Sequence, residues 1–177
     1  MKLKGRQIAL LIVCLLLACA LLLGLLFSGG CIGVSAGRLE ENLRASQRID
    51  ASWTTAGSVS DDMAAFLSYP ADQSDHTFSL YVNRPGFSFG YFFRAGGSLS
   101  GVEQYILEYT IEGCSERAFF SMNAQNAVRL EVDDGQNGQV IALEPGQPFA
   151  IVLPADVGSV TFYDADDNPV AVMKQSM

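Results

Sequence analysis

A 20-residue apolar run, from Ile8 to Phe27, holds no charge and ten leucines, and it constrains this chain more than any other segment. As a helix rising about 1.5 Å per residue it reaches roughly 30 Å, the thickness of one bilayer core. Ten leucines near the centre of a span favour insertion by about 5 kcal/mol. Lys2, Lys4 and Arg6 precede the run without an acidic residue among them, whereas Arg38, Arg44 and Arg48 beyond it are matched by Glu40, Glu41 and Asp50. Positive residues adjoining the run on one side set the orientation, with the N-terminus cytoplasmic and the remainder extracytoplasmic. The expectation is a single-pass signal anchor within residues 1–34.

Small residues near the run define two alternatives. Val34-Ser35-Ala36 fits a signal-peptidase site, and cleavage near Ala36 would release a secreted protein. Ala18-Cys19-Ala20 fits too, but a cut there leaves Leu21 to Phe27 as an apolar terminus. Cys31 follows Ser28-Gly29-Gly30, the small residues of a lipid-attachment site without its leucine, so a lipid anchor is the other alternative. A cleaved signal has an apolar core of about 7–15 residues, so the longer run here favours an uncleaved anchor.

Residues 35–58 read as a stalk and linker. Ala36 to Ile49 predicts a short helix in which Leu39 and Leu43 share a face and Glu40 and Arg44 stand in the favourable i,i+4 order. That apolar stripe is thin, so a solvated helical stalk is expected. Ala51 to Ser60 is small and polar around Trp53, and reads as a flexible join.

Residues 59–177 then form one domain, large enough for a single core. Only Arg84, Arg94, Arg117, Arg129 and Lys174 are basic there, against most of the chain's 19 acidic residues. Such a surface repels nucleic acid and anionic lipid. Of the four cysteines, Cys14 and Cys19 lie inside the run and Cys31 at its outer edge. Cys114 alone belongs to the domain, which excludes a disulfide scaffold.

Ser60, a plausible N-cap, with Asp61 and Asp62 predicts a short helix to Tyr69, stopped by Pro70. From Thr77 the period changes to two. Phe78, Leu80 and Val82 alternate with polar positions, and Asn83-Arg84-Pro85-Gly86 is a turn. Phe87 to Arg94 is dense in aromatics, and Ala95 to Gly101 is a loop. Further strands are predicted at Tyr105 to Glu112, Ala118 to Met122, Val128 to Val132, Val140 to Leu143, Phe149 to Leu153, Val160 to Tyr163 and Val170 to Met173. Eight or nine short strands with regular turn signals predict an all-β fold: a small antiparallel β-sandwich, jelly-roll or Ig-like, behind the transmembrane helix and helical stalk.

Three clusters merit a chemical reading. Asp164, Asp166 and Asn168 present alternate oxygen ligands, a weak calcium candidate that lacks the glycine and glutamate of an EF-hand loop. Glu108 and Glu112 share the solvated face of one strand at roughly 13 Å, too far apart for a glycosidase pair. His76, the single histidine, sits in a polar loop without a triad or zinc motif around it. No catalytic residue, metal site or cofactor is expected.

The aromatic segment remains. Arg84, Phe89, Tyr91, Phe92 and Arg94 form the candidate binding surface, since aromatics and arginine anchor interfaces. The competing reading buries these aromatics in the core. Gly90 lets another backbone or ligand come close in either case. The functional expectation is a membrane-anchored, extracytoplasmic, non-catalytic interaction module, an accessory or surface-binding protein of a bacterium with a protein partner at the cell surface. The alternatives are a carbohydrate or small-ligand binding domain, and a hydrolase using carboxylates from several strands.

Overall fold

A computed structural model describes residues 5–28, 30–83, 89–98, 100–133, 135 and 138–176, without the side chains of 5, 7, 9, 27 and 100. Helix α1 spans Gly5–Ser28, and its leucines from Leu10 to Leu25 stand exposed, Leu21 at 69%, while Leu26 is half-buried. It continues as backbone helix over 24 residues. Among the described residues, however, no helix is long and apolar enough to cross a membrane. The expected span is therefore not established by the fold.

A single 3-10 turn, Ala36–Arg38, leads into α2, Leu39–Gln47. The strands are β1 Thr54–Val59, β2 Met63–Tyr69, β3 Thr77–Asn83 and β4 Tyr91–Gly97. A short helix α3, Ser100–Gln104, precedes β5 Ile106–Thr110, β6 Glu116–Ser121, β7 Arg129–Asp133 and β8 Gly138–Ala142. Then come β9 Phe149–Pro154, β10 Ser159–Tyr163, β11 Pro169–Val170 and β12 Val172–Ser176.

The fold is mostly β, but it has three four-stranded sheets rather than the two of a simple sandwich. The first has the order β1-β2-β3-β4, the middle β12-β5-β6-β9 and the third β11-β10-β7-β8. All pairs are antiparallel except β12 with β5. Between the first and middle sheets lies a core of Met63, Leu67, Phe78, Leu80, Leu107, Tyr109, Phe120 and Val152. Between the middle and third sheets lies another, with Ile106, Phe119, Leu130, Phe149 and Phe162. Alternation along a strand sends Phe119 to one core and Phe120 to the other. Both are essentially unexposed.

Several expectations are corrected. The segment from Asp61 to Tyr69 is not a helix. Ser60 Oγ does accept from the Met63 amide, as an N-cap would, but the Ser60 amide also donates to Met63 O at 2.9 Å, which closes a hairpin instead. Strand β2 is buried at every position because one face meets the main core and the other meets α2. An apolar run covered on both faces has no alternation to reveal it. The flexible join contains β1, whose small residues leave room for Phe66: a Cβ on Gly57 would lie 2.3 Å from that ring. The loop expected from Ala95 to Gly101 is mostly the end of β4 and the start of α3.

The helix α2 is not a solvated stalk. Leu39 and Leu43 have no exposure and pack on Ala64, Phe66, Tyr81 and Tyr91 of the first sheet. Tyr81 Oη donates to Asn42 Oδ1 at 2.9 Å. Arg44 pairs with Glu40 at 2.9 Å and also donates to Asp50 O, Trp53 O and Thr55 Oγ1, fastening α2 to the start of β1. The turn-by-turn order is thus α2, first sheet, middle sheet, third sheet.

Replacing Leu43 with alanine removes a fully buried side chain and is expected to destabilise the head by about 2–5 kcal/mol. A solvated stalk would predict a change within about 0.5 kcal/mol. Urea unfolding of the detergent-solubilised chain, followed by Trp53 fluorescence, separates the two.

Candidate interaction surface

Strand β4 and the segment that follows α1 meet in one place. Gly30, at φ +64°, ends α1, and the Cys31 amide donates to Leu26 O at 3.1 Å. This bond and the left-handed glycine form a Schellman-type helix stop. From there residues 31–34 run beside the start of β4 as a strap. Phe89 N donates to Cys31 O, Gly33 N to Phe89 O, Val34 N to Tyr91 O and Tyr91 N to Val34 O, all at 2.7–2.8 Å. Ile32 bridges to Phe89 and Val34 to Tyr91.

Two glycines permit this contact. A Cβ on Gly33 would lie 2.5 Å from Tyr91 O, and one on Gly90 would lie 2.7 Å from Val34 O. Gly90 also has φ +85°, a conformation that side-chain-bearing residues rarely adopt. The close approach that Gly90 permits is therefore made by the chain's own backbone.

The aromatics divide. Tyr91 is 7% exposed, packs under α2 and donates its hydroxyl to Ser60 O. Burial above all, then the charges of Asp61, Glu116 and Asp62, pushes its phenol pKa up, so it remains a neutral donor. Phe92 is half-buried on the other side of β4, its ring 3.0 Å from the place of a Gly33 Cβ. Phe89 is 62% exposed beside Ile32 at 41%. Phe93, which was not among the predicted surface residues, is 44% exposed and stands edge-on to Tyr81, centroids 5.5 Å apart. It shares the face of Tyr91 but lies beyond the cover of α2. Arg84, Phe87 and the turn around them lie outside the described residues.

Arg94 is exposed at a bulge, where the register between β3 and β4 shifts at Leu80 and Tyr81. It lines a notch of about 250 Å³ with Asp62, Val82, Asn83, Glu112 and Cys114. That volume falls short of the roughly 300 Å³ at which small-molecule pockets begin. A larger hollow, about 470 Å³, lies between the strap and α2 and is lined by Val34, Ser35, Arg38, Glu41 and Asn42 without an aromatic.

The other expected clusters resolve as structure. Glu108 is buried rather than solvated: Arg117 Nη1 donates to its Oε1 at 3.0 Å, and Lys174 Nζ lies 3.5 Å from its Oε2. Glu112 is exposed. Asp164 Oδ1 accepts from the amides of Asp166 and Asn168 at 2.9 Å, and those bonds hold its carboxyl below the usual carboxylate range. Asp164 and Asn168 thereby close the turn between β10 and β11. Among the described residues no group of three potential ligands is placed to hold a metal ion. His76 is buried, its Nδ1 3.7 Å from Glu103 Oε1.

No protein-family model, curated protein or solved structure matches this chain.

Gly90→Ala is expected to release the strap, seen as lost exchange protection of the Gly33, Val34 and Tyr91 amides. Gly37→Ala meets open space and should leave that protection intact. A second outcome concerns Cys114, whose thiol pKa is pushed up by burial, with Glu116 and Asp62 adding to the effect. Less thiolate is present at a given pH, so in a variant with serine at the other cysteines, alkylation at pH 8 should be slower folded than denatured. Stability should also fall as pH rises past the ordinary thiol pKa, because the unfolded chain loses that proton first.

Proposed function

We propose that this chain is a membrane-anchored, extracytoplasmic interaction module without catalytic activity. It serves as an accessory or surface-binding protein that meets a protein partner through β4 around Phe93 and Arg94. The observation that carries this reading is the exposed, pre-ordered Phe93, followed in the chain by the exposed Arg94 at the bulge. Tyr81 fixes the ring from the side, so little side-chain freedom is lost when a partner covers it. Aromatic and arginine anchors of this kind dominate binding energies. The packed first and middle sheets serve as the scaffold.

The anchor in this reading is α1. What supports this is the uncharged, leucine-rich run from Ile8 to Phe27 and the exposure of nine of its leucines, Leu10 to Leu25. The positive residues before it support a cytoplasmic N-terminus. A carbohydrate or small-ligand function would fall to the hollow between strap and α2, but that hollow offers no ring for a sugar to stack on.

Affinity capture from mild-detergent membranes with the full chain, Phe93→Ala and Arg94→Ala tests the surface. Each substitution is expected to reduce the co-purified partner by about tenfold, the effect of losing roughly 1.4 kcal/mol. Partners retained unchanged by both variants would defeat the proposed surface.

A further inference from the structure

We infer that Ile32 and Phe89 seat the head in the lipid interface, so that the domain rests on the bilayer surface instead of standing off from it. This rests on the reading of α1 as the anchor. Only two residues separate Ser28, the last of α1, from Cys31, whose amide bonds back to Leu26 O. A chain advances at most about 3.6 Å per residue, so Ile32 lies within roughly 14 Å of the helix end. Phe89 is bridged to it, about 5 Å to the side.

The bilayer supplies the matching layer. Its hydrocarbon core is about 30 Å thick and the whole membrane about 40–45 Å. When Ile8 to Phe27 fills the core, the strap and Phe89 lie within a reach of its edge that includes the headgroup layer of about 5–8 Å on that side. The side chains presented there are an isoleucine and a phenylalanine, at 41% and 62% exposure. Other apolar side chains of the head are exposed too, Phe93 and Val140 among them, but Ile32 and Phe89 are the ones placed beside the end of α1. Apolar side chains at this depth gain the transfer free energy that water denies them. The acidic head gains nothing from anionic lipid, so the contact is apolar and does not require charged headgroups.

The test places a depth reporter at each position. The full chain carrying Trp53→Phe together with Phe89→Trp, and separately with Ile32→Trp, is reconstituted into phosphatidylcholine vesicles. The vesicles contain lipid brominated at a shallow or a deep acyl position. The expected result for both reporters is loss of most emission with shallow bromines, little loss with deep ones, and weak quenching by aqueous acrylamide. Emission quenched by acrylamide and untouched by bromolipid overturns the inference. Protection from both quenchers overturns it as well, since the patch is then covered by protein, such as a second copy of the chain. Alkaline carbonate extraction is run alongside. A chain that stays with the vesicles while its tryptophan faces water refutes the seating alone. A chain that washes off refutes the anchor too.

Discussion

Two adjacent phenylalanines hold the layers together. Phe119 and Phe120 leave β6 in opposite directions, one into each core. Each contributes roughly 1.5–3 kcal/mol of burial, and their shared backbone makes the two cores mechanically continuous. A middle sheet covered on both faces has no polar side, so its few charges must be neutralised internally. Arg117 and Glu108 show this. The guanidinium donates to Glu108 and to Gly158 O and lies 5.6 Å from the Phe119 centroid, while its Nε stays without a hydrogen bond. A pair buried that way adds little net stability, but neither partner can be removed cheaply.

The strands that were legible in the sequence are those with one clear period or a sharp turn, β3, β5, β7, β8, β9 and β10, together with the short apolar run of β6. The misread ones fail for identifiable reasons. Strand β2 is apolar at successive positions, and its Ser-Asp-Asp entry satisfies the same first hydrogen bond as a helix cap. Strand β1 is made of threonine, serine, glycine and alanine, which carry no burial signal until Phe66 lies across them. The number of sheets was hidden as well, because an inward-facing residue looks the same whichever sheet it meets. Leu39 and Leu43 were recognised as one helical face, but a two-leucine stripe does not say whether a sheet waits to receive it.

Of the candidate surface the sequence marks only the residues, not their exposure. The aromatic segment itself stands out in composition, but whether Phe89 is core or exposed does not follow from it. Nor do the burial of Tyr91 and the exposure of Phe93, since both share one parity and differ only in the reach of α2. Gly90 signalled a close approach. That the approaching backbone belongs to Gly33 and Val34 is a long-range fact, available only once the chain has folded back on itself.

The helix stop at Gly30 has a consequence for range. A flexible linker of about two dozen residues would let a head wander on the order of 25–30 Å from its anchor. A Schellman stop followed at once by paired backbone removes that freedom. Under the proposed anchoring by α1, a head so attached would search in two dimensions, by lateral diffusion of its helix, and would present the same side to every neighbour. Partners suited to it under that proposal would lie equally low on the membrane and present their own binding face sideways.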